Sequence, residues 1–62
     1  MTREEKLFVI CLTMSLSDRW VSMFCAEKPK LAKKVSVDRW ENLSEEDVNE
    51  VYSWMEVKAD SM

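Results

Sequence analysis

Apolar residues recur at helical spacing in three stretches of the chain. Over residues 7–27, steps of 100° per residue gather Val9, Ile10, Leu12, Met14, Leu16, Trp20, Val21, Met23 and Phe24 on one broad arc. Glu4, Ser15, Asp18, Arg19 and Ser22 fill the opposite strip. An arc this wide predicts burial on more than one side, as in a central bundle helix or a helix at a dimer seam. Thr2 with Glu5 three residues later makes a capping box at its start. Ser17 or Asp18 offers a second start that would kink the path. Lys28-Pro29 closes the stretch, because the residue before a proline is pushed out of α geometry.

Proline is also well suited to open a new helical turn. Residues 29–35 predict one or two turns with Leu31 and Val35 inward at i, i+4, and Val35-Ser36-Val37 reads as loop or short helix. Asp38-Arg39-Trp40-Glu41 repeats a capping-box pattern, with Trp40 and Leu43 on one side. Ser44 is the clearest N-cap. Glu45, Glu46 and Asp47 fill the first turn behind it, and Leu43 and Val48 stand at the hydrophobic-staple positions. Val48, Val51, Tyr52, Met55 and Ala59 then trace a narrow stripe, predicting a surface helix over about 45–58 that frays toward Met62. Asp18-Arg19-Trp20 recurs as Asp38-Arg39-Trp40, which is too short to define a repeat. The expected fold is all-α: one domain over residues 1–62, a small bundle of two to three helices. These are a long apolar N-terminal helix, a short middle helix and an acidic amphipathic C-terminal helix.

Composition narrows the chemistry. The 62 residues include no glycine, no histidine and a single proline, Pro29. Glycine supplies phosphate loops and close backbone approaches, and histidine is the usual acid–base group and metal ligand. Cys11 and Cys25 lack a base and a Cys-x-x-Cys spacing, and are expected as buried, reduced thiols. The Glu45-Glu46-Asp47 run is explained by helix capping and the dipole rather than by a carboxylate centre. No catalytic residue, cofactor or metal is therefore expected, and the chain is not expected to be an enzyme.

Charge is divided along the chain. Residues 1–40 carry eight Lys or Arg and five acids, whereas residues 41–62 carry seven acids and only Lys58. The apolar run Leu7–Leu16 is ten residues long, short of the roughly 18 that a spanning helix needs. The opening Arg3-Glu4-Glu5-Lys6 has mixed charge and no small-residue cleavage site follows, so neither leader nor membrane span is expected and the cytoplasm is the expected location.

These features lead to a small regulator that binds another protein with a basic surface. Its size and composition match the inhibitors and antirepressors that phages and plasmids encode, an association rather than a deduction. The expected partner-binding residues are Glu45, Glu46, Glu50, Trp54 and Glu56; Trp54, off the stripe, is either a partly exposed anchor or a widening of the chain's own core. Chains this short are marginally stable alone, so a homo-oligomer is expected, with Leu7, Ile10, Met14, Val21 and Phe24 in its seam. A second class is a nucleic-acid module using residues 28–42. It is disfavoured by the absence of glutamine and by a pI near 4.8, since phosphate contacts need clustered cations and base readout needs Arg, Asn or Gln. A third is an assembly subunit that oligomerises through Leu7–Phe24.

Overall fold

Thr2 begins the first helix as its spacing predicts: its Oγ accepts the Glu5 amide at 3.2 Å. In the computed structural model, which describes residues 2–61, helix α1 spans Arg3–Leu16, α2 Asp18–Glu27, α3 Pro29–Asp38 and α4 Glu45–Ser61, with a 3₁₀ turn at Trp40–Asn42. The all-α class holds, but the bundle has four helices among the described residues, not two or three. The expected fraying at Met62 lies outside the described residues.

The long N-terminal helix is where the count changes. Ser17 is extended (φ −142°, ψ 112°), and α2 leaves α1 at 111°. A straight helix over residues 3–27 would be about 37 Å long at 1.5 Å per residue. The longest dimension of the molecule is 28 Å, so about a quarter of such a helix would overhang even that dimension. Breaking at Ser17 instead brings Ile10 and Phe24 into one interior. Among the described residues no single helix is long and apolar enough to cross a membrane, and α1 and α2 reach that only as this bent pair.

The second difference is α3. Pro29 sits at its first position, where the missing N–H costs nothing, and the helix continues to Asp38. Leu31 is buried and Val35 half-buried, as their spacing predicts. Asp38 ends this helix instead of capping a new one. Arg39 follows with φ 68° and ψ 163°, a region that glycine occupies readily and other residues do not. The chain has no glycine to place there. The two Asp-Arg-Trp triplets thus play unlike roles, one opening α2 and the other straddling the end of α3.

Ser44 caps α4, its Oγ accepting the Asp47 amide at 3.2 Å, and the staple pair Leu43 and Val48 is buried. Val48, Val51, Trp54 and Met55 supply half of the core, joined by Ile10, Phe24, Leu31 and Leu43. Aromatic rings tie the helices together. Phe24 lies 5.6 Å from Trp40 and 5.7 Å from Trp54, and Trp54 meets Trp20 edge-on at 5.7 Å. Helices α1 and α4 run parallel. Arg3 donates to the carbonyls of Glu41 and Leu43 at 2.9 and 2.6 Å, and Lys6 reaches the Asn49 side chain at 2.6 Å. Farther along, Val9 and Thr13 lie beside Tyr52, Met55 and Ala59.

Candidate interaction surface

Helix α4 buries one edge and turns the other outward. Glu45, Glu46, Glu50 and Glu56 are all exposed. Counted at 100° per residue, they share one half of the helix with Asn49, Ser53 and Asp60. Glu50 meets Lys28 at 3.4 Å, whereas Glu45, Glu46 and Glu56 make no ion pair among the described residues. The other first-turn acid, Asp47, points back toward α3 and pairs with Lys34 at 2.7 Å. That lysine, with the Ser44 hydroxyl, holds the Asp47 carboxyl below the ordinary aspartate value, and Asp47 in turn raises the Lys34 ammonium.

Of the two readings of Trp54, the structure has the core one and not the exposed anchor. Trp54 is only 9% exposed and belongs to the core, because α4 buries a wider arc than the Val48–Val51–Met55 stripe implies. Its indole N–H donates to Glu27 at 3.4 Å, and Lys58 pairs with the same carboxylate at 2.8 Å. These contacts, led by the Lys58 hydrogen bond, lower the Glu27 carboxyl. Glu27 therefore joins α2 to α4, a role with no signature in the sequence.

The basic segment is partly used internally. Lys28 and Lys34 are tied to α4 carboxylates, which leaves Lys30 and Lys33 exposed without an ion pair among the described residues. Spacing of 28, 30, 33 and 34 cannot show this, since the acids concerned lie 13 and 22 residues away.

The expected oligomer seam is also redistributed. Ile10 and Phe24 are inside the protein's own core, Leu7 and Met14 pack against it, and Val21 is 39% exposed. A different set of α1 residues faces out: Phe8 at 67%, Leu12 at 47% and Leu16 at 77% exposure, spaced i, i+4, i+8. Beside this ridge runs an apolar groove of about 180 Å³ between α1, the start of α2, and α4. Val9, Thr13 and Trp20 form one wall, Tyr52, Met55 and Ala59 the other, and Glu56 lines it as well. Leu12 and Leu16 sit within the broad arc of the sequence, which offers no basis for separating inner from outer residues, whereas Phe8 lies outside that arc, beside the polar strip.

Of the two thiols expected to be buried, Cys11 is half-buried and Cys25 is exposed. Phe24 takes the inward position, and its neighbour is turned out. Burial, then the Glu41 charge, pushes the Cys11 thiol up. Among the described residues no three His, Cys, Asp or Glu side chains converge on a metal geometry. A scan against protein-family models, a search of curated proteins and a search of solved structures each return no match.

Proposed function

We propose that this protein is a small cytoplasmic regulator that binds another protein, presenting the outer face of α4 to a basic surface. The observation that carries this reading is where the unpaired carboxylates lie. On the α4 side facing α2 and α3, Asp47 and Glu50 meet Lys34 and Lys28, while Glu45, Glu46 and Glu56 gather on the outer face of the same helix, exposed and without an ion pair among the described residues, so that face carries one sign of charge. Carboxylates held on one side of a well-capped helix form a rigid charge array, which steers encounter and selects partners of opposite sign. Acting as an inhibitor, the face would occupy a basic groove on its target, including one that otherwise holds nucleic acid. Two free cysteines, one of them exposed, suit a reducing compartment.

The test is a charge reversal that leaves the internal pairs intact. Tagged wild-type protein and the E46K/E56K variant are used side by side to retain proteins from source-cell lysate, with quantitative mass spectrometry and with circular dichroism confirming the fold. A specific partner is expected on the wild type, reduced at least about tenfold on the variant and released by moderate salt. Equal retention by both forms, or no protein above background, would refute the acidic-face reading.

A further inference from the structure

We infer that the groove between α1, the start of α2 and α4 receives an arginine side chain of the basic partner. This rests on the reading of α4 as a partner-binding face, and names the place where one partner residue is anchored. Val9, Trp20, Tyr52, Met55 and Ala59 give the groove apolar walls, and Glu56 is its one charged lining residue. At 100° per residue Glu56 lies about 40° from Tyr52 and about 20° from Glu45 around α4. It therefore belongs to the groove and to the acidic face at once.

Charge selects the class of occupant. Glu56 is exposed and has no ion pair among the described residues, and the same is true of Asp60 one turn further on. Like charges at i, i+4 repel on a helix, and a cation seated beside Glu56 relieves that repulsion. A purely apolar occupant would take the Glu56 carboxylate out of water with no partner, at a cost. An anionic occupant would meet two negative charges. The seam between α1 and α4 already holds one cation of the chain's own. Lys6 Nζ lies 5.9 Å from the centre of the Tyr52 ring and donates to Asn49 at 2.6 Å. Asn49 precedes Glu56 by about two turns, or about 10 Å along α4, so Lys6 is about one screening length away and leaves Glu56 unneutralised.

The polar groups then favour arginine over lysine. The Thr13 hydroxyl, which also lines the groove, donates to the Val9 carbonyl at 2.8 Å. Its proton is spent there, so it offers only lone pairs to an occupant. Thr13 and Glu56 are thus both acceptors, matched to a guanidinium with five N–H donors and no acceptor. A guanidinium is also more weakly hydrated than an ammonium and stacks on aromatic rings, so it loses less on entering an apolar groove walled by Trp20 and Tyr52. The methylene stem behind it packs on the apolar walls. The groove measures about 180 Å³, and a cavity of about 150 Å³ accommodates benzene, so one such side chain fits.

The test is a titration of the whole isotope-labelled chain with the blocked peptide acetyl-Ala-Arg-Ala-amide, followed by amide and indole NMR shifts in about 50 mM salt. Peptides with citrulline, which keeps the shape without the charge, and with lysine are run in parallel. Saturable binding with a dissociation constant of about 1–5 mM is expected, with the largest shifts at Val9, Thr13, Tyr52 and the Trp20 indole. The citrulline peptide should bind at least about fivefold more weakly and the lysine peptide about threefold. E56Q should weaken the arginine peptide at least about fivefold, whereas E46K, outside the groove, should change it less than about twofold. No saturation by about 20 mM, equal binding of the citrulline peptide, tighter binding of the lysine peptide, or E56Q binding as wild type overturns the assignment. Lysate capture separates the two readings. A partner lost by E46K/E56K while the arginine peptide fails to bind refutes the groove and keeps the acidic face. Arginine-selective binding with no retained partner keeps the groove and refutes the face.

Discussion

Helix α1 has an apolar residue at almost every position from 7 to 16, yet only Ile10 is fully enclosed, at 0% exposure, while Leu16 is 77% exposed. Comparing I10A with L16A measures that difference in energy. Truncating a fully buried isoleucine to alanine removes its transfer energy and leaves a cavity, at a cost of about 2–5 kcal/mol. A chain of this length has about 3–9 kcal/mol of total stability, so I10A should be close to unfolded. I10V provides the graded probe, costing about 1 kcal/mol. L16A alters a mostly solvated side chain on a helix surface and should stay within about 0.5 kcal/mol of wild type. Urea titration followed by tryptophan fluorescence reads these effects directly, since Trp20, Trp40 and Trp54 all pack in or against the core. With a slope of about 1 kcal/mol per molar urea, the I10V midpoint should fall by about 1 M and that of L16A should barely move. Work at about 2 µM keeps self-association out of the measurement. If L16A lowers the midpoint as far as I10A, or I10A leaves it unmoved, the assignment of inner and outer faces of α1 is wrong.

Two further outcomes are expected. Arg39 holds a backbone conformation costing about 1–3 kcal/mol for a residue with a Cβ, against about 0.5–1 kcal/mol of extra chain entropy for glycine; R39G should therefore raise the thermal midpoint by several degrees, and a lowered midpoint would contradict the strain. Asp47 and Glu27 have lowered carboxyl values in the folded chain, so their stabilising contribution is present above the ordinary values of 3.8 and 4.5 and is lost as pH falls through the lowered ones. The raised Lys34 ammonium contributes below its ordinary 10.5 and is lost only as pH rises beyond that. Melting curves should thus weaken on acidification below about pH 4.5, with a shallower decline in D47N/E27Q; an identical decline would show that these two pairs do not report folding.

Much of the architecture could be read from residues that act on their immediate neighbours. Thr2 and Ser44 cap the helices their spacing predicts, Pro29 opens α3, and Leu43 and Val48 close together as a staple. What escaped were features decided across the fold. Ser17 was already legible as a second helix start, but that the helix breaks there by 111°, with no proline or glycine, follows from the size of the core that two short helices can share. The turn at Arg39 is hidden for a related reason: the residue type that normally marks a positive φ is absent from the chain. Trp54 lies one helical step outside the apparent stripe and is enclosed because α2 brings Trp20 and Phe24 to it. For the candidate surfaces, the acids of α4 were legible as an exposed row. The separation of Lys28 and Lys34 from the free cations, and of Phe8, Leu12 and Leu16 from the core, required the long-range partners.

The parallel pairing of α1 with α4 also sets a timetable for biosynthesis. Ile10 is made roughly 40 residues before the side chains that enclose it, from Val48 to Met55. At about 5–20 residues per second, the ribosome keeps the apolar first helix waiting for roughly 2–8 s before its cover exists. Until α4 is made, the inward face of α1 has no partner, and the shared core closes only when both helices are free to meet.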